Sequence, residues 1–525
     1  MNFNFFDLFS NGLNIAGSDK SDLIIGSFGD DDISANGGND LVFGLFGDDK
    51  ISGGLGEDTL LGGFGNDVVI GNKGDDTMLG GWGDDLLVWN NGDGSDLMVG
   101  GVGYDRVQVN FDTDLVNDDL QNKDVAEFSV TDEGIQFARI EVNDQIEAGL
   151  FQLDIRKTEV QETNFGGGDD TAVIKDDVLD EIRLDLDGGA GTDTLDLAQA
   201  ADAVRVNLAK GKLNGSTAEN FENVIGTAYD DAVRGDKQDN VIAGLDGEDK
   251  IFGRGGDDTL TGGKGNDAVY GGKGDDALIW NNGDGSDLLN GGKGDDVVQV
   301  NFDTDLVNDD LQNKDVAEFS VTSEGVQFAR IEVNDQTQAG LFQLDVRKTE
   351  TLETNFGDGN DTAVITEEVL EKIDLVLDGG EGVDLLDLGQ AASGTNVDLS
   401  AGIVGSSTAV NFENVTGTAF NDTITGDSGD NVIRGGQGDD VMRGGEGADT
   451  FVFFEADIGV DVIVDFEFGV DRLEFVTSDP SVTSTNLIGN LAQAGDDVEL
   501  TLNDKVITFE DVVVTDFTTD DFMIA

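Results

Sequence analysis

A nine-residue pattern, Gly-Gly-x-Gly-x-Asp-x-U-x with U a large aliphatic residue, returns through this chain in fixed register. Residues 53–61 read GGLGEDTLL, 62–70 GGFGNDVVI and 71–79 GNKGDDTML. Eight such blocks run without a gap from Gly17 to Val88. A fixed short period means one structural unit stacked on copies of itself, because a unit this small buries no core alone. Glycine at positions one, two and four permits a tight turn and leaves the carbonyls uncovered. Position six is acidic in every block, at Asp22, Asp31, Asp40, Asp49, Asp58, Asp67, Asp76 and Asp85. Position eight is Ile24, Ile33, Val42, Ile51, Leu60, Val69, Met78 or Leu87. One inward apolar residue between outward neighbours is the pattern of a short strand. Carbonyls and carboxylates, with no nitrogen or sulfur, make a hard oxygen site that suits calcium. A flexible glycine-rich linker would match the composition but not the register.

The 525 residues include 110 acidic and 29 basic side chains, a formal net charge of -81. Such a chain repels itself and stays expanded without counter-ions, so folding is expected to be coupled to bound cations. Nucleic acid is not an expected partner, since little here neutralises phosphates. Cysteine and histidine are absent. That removes disulfides, thiol nucleophiles, His- or Cys-held zinc and the Ser-His-Asp triad. No run reaches about eighteen apolar residues, so no membrane insertion is expected.

Seven stretches are expected: an N-terminal segment, 1–16; a first array, 17–108; an intervening β segment, 109–225; a second array, 226–299; a second intervening segment, 300–416; a third array, 417–452; and a β-rich cap, 453–525. The first array ends beyond a longer unit, WNNGDGSDLMV at 89–99, with Asp105 as its last position-six acid. The second carries Asp231, Asp249, Asp258, Asp267, Asp276 and Asp296, with its own longer unit WNNGDGSDLLN at 280–290. The third carries Asp422, Asp440 and Asp449. Isolated repeat-like turns place Asp193 at 188–196 and Asp384 at 379–387. Asn240 and Asn431 replace the acid and should mark poorer sites.

A larger period lies over the small one. Trp89 maps to Trp280, Asn110 to Asn301 and Phe165 to Phe356, each 191 residues on. The chain is therefore a tandem duplication of an array plus an intervening segment. Residues 107–165 and 298–356 differ at only seven positions, which makes this stretch a candidate contact surface. The segments read as strands: Phe151, Leu153 and Ile155 alternate with polar residues, as do Ile182, Leu184 and Leu186. Together with their repeat-like turns, this implies that a solenoid continues through them, with short helices near 176–182 and 367–373. In the last stretch, DVIVDFEF at 461–468 would put Val462, Val464, Phe466 and Phe468 on one face, and 497–509 alternate again. A cap is physically required, since an open solenoid end exposes strand edges and core.

On these motifs the chain resembles the RTX, or haemolysin-type, calcium-binding family. The resemblance implies an all-β fold, a right-handed parallel β-roll or β-solenoid in which two nonapeptides make one turn. It implies calcium between loops one turn apart, so that Asp58 stacks on Asp76, Asp67 on Asp85, Asp249 on Asp267 and Asp258 on Asp276. About 16 ions would bind, offsetting about 32 of the excess negative charges. It also implies secretion to an extracellular or cell-surface location by type I secretion machinery. The acidic pair Asp520 and Asp521, followed by Phe522, Met523, Ile524 and Ala525, resembles the C-terminal signal such machinery reads.

With repeats starting at Gly17, no enzyme or toxin segment is expected ahead of them. The expected function is a secreted calcium-binding structural protein, not an enzyme. It would act in a surface layer, matrix or adhesion through self-association or a cell-surface polysaccharide. The alternative is a calcium-dependent polysaccharide-modifying enzyme, a lyase, epimerase or glycosidase. Its basic residues would be Arg139 and Arg156 with their copies Arg330 and Arg347.

Overall fold

The computed structural model describes residues 12–111, 123–132, 134–143, 146–302, 314–323, 325–333, 342–367, 369–454, 459–502 and 505–525. They form two compact units, Met1–Thr261 and Gly262–Ala525.

In the first unit each nonapeptide contributes one short strand, which pairs in parallel with the strand two places on. Thr59–Phe64 lies between Leu41–Phe46 and Thr77–Trp82, so Leu60 sits beside Val42 and Met78. Lys50–Leu55 pairs in the same way with Val68–Lys73. Two strands thus make one turn of a parallel roll, and the position-eight side chains fill its interior. Ile51, Leu60, Val69, Met78 and Leu87 are all fully buried, each stabilising the roll by about 1.5–3 kcal/mol. The turns need glycine for two reasons. Gly65 has φ 129°, and a Cβ there would lie 1.9 Å from the Gly47 carbonyl oxygen one turn below. Trp89 closes the longer unit from inside, its Nε1 donating to the Gly94 carbonyl at 2.9 Å.

The roll continues beyond the array with wider turns. Val160–Asn164 pairs with both Arg106–Asn110 and Arg183–Asp187, and Thr171–Asp176 with Thr194–Ala200. Between them stands an element of a different kind. Lys123–Thr131, Gly134–Asn143 and Ile146–Arg156 form an antiparallel meander. Its last strand rejoins the roll on Leu97–Val102, and its first pairs in parallel with Thr171–Asp176. Leu153 and Ile155 point inward as their alternation requires; the side chain of Phe151 lies outside the described residues. A one-turn helix, Val178–Glu181, falls in the expected place.

The second unit repeats this plan. Ala277–Asn281 pairs with Val297–Asn301, which pairs with Thr351–Asn355. Lys314–Val321, Val326–Val333 and Phe342–Arg347 form the matching antiparallel meander. The expected helix near 367–373 is a 3-10 turn, Val369–Glu371. In the cap the parallel ladder runs on: Val460–Ile463 stacks on Val441–Arg443, and Lys505–Phe509 on Val460–Ile463. The inward face of residues 461–463 is opposite to the one the hydrophobic alternation indicates. Asp461 and Ile463 are buried, and Val462 faces out, because these two take over the position-six and position-eight roles of the preceding turn. Phe517 then gathers Phe466, Phe468, Phe509 and Phe522 at ring-centroid distances of 4.8–5.9 Å, closing the end. Among the described residues no helix is long and apolar enough to cross a membrane.

Candidate metal centres

Each loop between strands brings a position-six carboxylate under the backbone of the preceding turn. Asp67 shows the arrangement. Its Oδ1 accepts the Asp49 N–H at 2.8 Å, and its own N–H donates to Asp85 Oδ1 at 2.8 Å. Its Oδ2 is buried and has no hydrogen-bond partner. Position-one glycine is what leaves room for that oxygen. A Cβ on Gly62 would lie 2.3 Å from Asp67 Oδ2 and 2.7 Å from the Gly80 carbonyl oxygen. A carboxylate oxygen and a carbonyl oxygen of the next turn therefore face one small space, where they repel each other unless a cation lies between.

The same geometry forms two ladders in the first array. One runs from the Asp22 N–H through Asp40, Asp58 and Asp76, the other from the Asp31 N–H through Asp49, Asp67, Asp85 and Asp105. The expected stacks of Asp58 on Asp76 and Asp67 on Asp85 are thus present as backbone-to-carboxylate hydrogen bonds. Within the first unit, Asp193 receives the Asp170 N–H, Asp249 that of Asp231, and Asp258 that of Asn240. Within the second, Asp267 donates to Asp287 and Asp276 to Asp296, while Asp384 receives Asp361. Asp422 donates to Asp440 and Asn431 to Asp449.

Burial and like-charged neighbours hold these carboxyls far above the usual range. Burial first, then the charges of neighbouring Asp residues, pushes Asp49, Asp76 and Asp85 up to about 7, and burial with Asp48 pushes Asp67 up to about 6. The same causes, with Glu222 and Glu413 as the nearest charges, take Asp193 and Asp384 up to about 7. Asp440 is pushed up to about 7 and Asp449 to about 6.

Four of the twenty candidate acids differ in kind. At Asp22, Asp31, Asp231 and Asp422 a Ser or Thr stands at position two in place of glycine. Ser27 donates to Asp31 through both its N–H (2.5 Å) and its hydroxyl (2.9 Å), and Leu13 N–H completes the set. Thr227 and Thr418 hold Asp231 and Asp422 in the same way, and Ser18 holds Asp22. The Ser18 bonds bring the half-buried Asp22 below the usual carboxylate range, whereas burial still outweighs the threonine bonds at Asp231 and Asp422. These opening loops are satisfied by the protein itself. So are the two asparagine loops: Asn240 Nδ2 donates to the Glu222 carbonyl and Asn431 Nδ2 to that of Glu413.

Several residues of the ladders escape the nine-residue pattern. Asp96 takes the Asp76 N–H at 2.8 Å, and Asp287 takes that of Asp267, both from the longer units; Asp96 is pushed up to about 8 by burial, then by Asp76 and other nearby carboxylates. Where a turn widens, a Glu with its extra methylene closes the ladder: Glu159 on Asp105, Glu222 on Asp193, Glu350 on Asp296 and Glu413 on Asp384. Asp461 and Asp471 extend it into the cap. A second ladder stands at position five, outside the first, where Asp30, Asp48 and Asp84 are exposed. Asp30 Oδ1 accepts the Asp48 N–H, and Asp84 Oδ1 that of Tyr104. The acidic bias at position five was its sequence signal.

Calcium fits the position-six loops on these observations. The donors are all oxygen, and from Asp40 to Asp105 each ladder carboxylate keeps a buried Oδ2 with no hydrogen-bond partner, with a glycine hollow beside it as at Gly44, Gly53, Gly62 and Gly80. Among the described residues no three carboxylates converge on one point, so backbone carbonyls must supply the rest of the ligand shell. Arg156 and Arg347 are instead ion-paired along their strands with Asp154 and Asp345. The side chains of Arg139 and Arg330 lie outside the described residues.

A parallel roll whose loops present buried oxygen ligands at every turn defines a calcium-binding repeat protein. The RTX calcium-binding nonapeptide repeat matches residues 16–51, 52–87, 225–260, 244–278, 281–308 and 416–451, so the chain carries RTX calcium-binding repeats in all three arrays. No curated protein matches the chain. Among solved structures, the extracellular lipase LipA from Serratia marcescens is similar at 15% identity and a TM-score of 0.22, over 64% of this chain and 45% of that one. The chain thus spans less than half of that lipase, and a likeness of this size carries no argument about shape or activity.

Proposed function

We propose that the protein is a secreted structural protein that folds on meeting calcium outside the cell. It then self-associates through calcium in a surface layer, matrix or adhesive contact. The observation that carries this reading is the pair of buried carboxylate ladders in which Asp40 to Asp105 each leave Oδ2 with no hydrogen-bond partner, which makes compact folding wait on an external cation. Calcium is scarce inside cells and abundant outside, so export and folding would be linked.

Two surface features support self-association. Exposed position-five carboxylates line the loops of the first array, where calcium could bridge molecules. Beside them Phe28, Phe46, Phe64 and Trp82 form a ladder at ring-centroid distances of 4.9–5.7 Å, edge-on between Phe28 and Phe46 and stacked thereafter, each residue 42–58% exposed. An aromatic strip this exposed is a contact surface for a second copy. The module present twice adds effective concentration once one contact forms. Light scattering across a calcium titration tests the reading. Growth of assemblies at millimolar calcium, reversed by chelator and reduced by Phe64→Ser with Trp82→Ser, is expected. A protein that stays monomeric at millimolar calcium contradicts it.

A further inference from the structure

Some of the described cations are committed to carboxylates, as Arg106 is to Glu162, Arg183 to Asp185 and Arg443 to Asp465. One group of cations instead converges on a cleft. A cleft of about 290 Å³ in the first unit is lined by Asn207, Lys210, Arg234, Phe252 and Arg254. Among the described residues none of its three cations is ion-paired. The fold builds this cluster deliberately from three neighbouring strands. Asn207, Arg234 and Phe252 are direct partners across Arg205–Asn207, Ala232–Arg234 and Lys250–Phe252. Lys210 comes from the 3-10 turn Leu208–Lys210. Arg254 occupies position two of its repeat at φ 86°, a left-handed conformation where most repeats carry glycine. Leu45 and Leu245 take the same backbone at position two, and the Arg254 side chain is exposed.

We propose that this cleft binds one anionic sugar unit of an acidic polysaccharide. Three cations supply the charge. Asn207, which lines the cleft, offers a side-chain amide to ring hydroxyls. Phe252, with the Arg234 guanidinium 5.4 Å above its ring centroid, adds an apolar flank for the C–H face of a pyranose. The volume suits a single monosaccharide rather than a larger ligand. Net negative charge elsewhere does not forbid this, because charges beyond about 8 Å are largely screened at physiological ionic strength. The duplicated module does not repeat the cluster: Arg234 maps to Thr425, Phe252 to Arg443 and Arg254 to Gly445. The site is therefore independent of the repeat consensus and of self-association.

The test is calorimetric binding to the full chain in millimolar calcium. Probes are hexagalacturonate, its methyl-esterified form and a sulfated heparin hexasaccharide, the first and third separating carboxylate from sulfate. The wild type is expected to bind at least one acidic hexasaccharide and not the ester. Arg234→Gln with Arg254→Gln, and separately Lys210→Gln, should weaken that binding about tenfold with unchanged calcium-folding midpoints and unchanged light scattering. The proposal is overturned if neither acidic sugar binds or if the ester binds equally. It is also overturned if both variants bind like the wild type, which would assign the affinity to calcium bridging elsewhere.

Discussion

Asp67→Asn separates the metal role of a ladder carboxylate from its hydrogen-bonding role. The asparagine Oδ1 still accepts the Asp49 N–H now held at 2.8 Å, so what is lost is one charged oxygen toward the ion. An ion at about 100 times its dissociation constant contributes roughly 2.7 kcal/mol. The first array holds eight such buried Oδ2 atoms, at Asp40, Asp49, Asp58, Asp67, Asp76, Asp85, Asp96 and Asp105. Stacked turns fold together, so the loss is shared across about eight binding events. At 1.4 kcal/mol per decade it becomes about a quarter of a decade, a rise of roughly 1.7-fold in the calcium midpoint. Asp67→Ala also strands the buried Asp49 N–H, about 1–3 kcal/mol more, and should raise the midpoint about 2.6-fold. Asp31→Asn is the control. Its carboxylate is already held by Ser27 and Leu13, so the change loses one hydrogen bond of about 1 kcal/mol and shifts the midpoint about 1.2-fold. Far-ultraviolet circular dichroism over a calcium titration reads all three. Equal midpoints for Asp67→Asn and Asp31→Asn would refute the reasoning.

The ladders also fix the response to acid without metal. Asp49, Asp76 and Asp85 titrate near 7 when folded and near 3.9 when unfolded. Their contribution to stability is therefore complete below about pH 4 and lost as pH rises through about 7. In chelator, acidification from pH 8 to 5 should increase β structure by circular dichroism, and a flat signal would contradict this. Trp89→Ala, at a fully buried ring, should cost about 3–5 kcal/mol and raise the calcium midpoint about twofold or more. Trp82→Ala, at a 58% exposed ring, should change it little; similar shifts in the two variants would argue against the assigned core. Phe517→Ala should loosen the aromatic cluster that closes the cap and raise proteolysis of residues 459–525 before that of the arrays. Uniform cleavage along the chain would count against a separate closing element.

Much of this fold is written in the register. Position eight at Leu60 and position six at Asp67 are each assigned by spacing alone, and both point inward as a parallel roll requires. The duplication likewise predicts two similar intervening segments, though read as continuing solenoid and not as the antiparallel meanders the structure contains. What spacing does not convey is pairing partner. Lys123–Arg156 alternates like any strand pair, and nothing local distinguishes an antiparallel meander from further solenoid turns. In the cap, hydrophobic alternation at Val462 and Val464 misleads because a buried carboxylate, Asp461, claims the inward face. Within the site, the residue at position two carries information that the consensus hides. Ser or Thr there goes with a self-satisfied carboxylate, whereas Gly63 and equally Asn36, Leu45 and Asn72 go with a position-six Oδ2 that has no hydrogen-bond partner. The closing residues Glu159 and Glu222 lie outside any repeat and become visible only through the turn they span.

The central claim is that the position-six carboxylates with an unpartnered Oδ2 hold calcium while the opening loops do not. Anomalous diffraction from crystals grown in calcium tests it directly. The account predicts peaks beside Asp49, Asp58, Asp67, Asp76 and Asp85 and none beside Asp31, Asp231 or Asp422. Peaks at the Ser- and Thr-held loops, or bare density at Asp67, would contradict it.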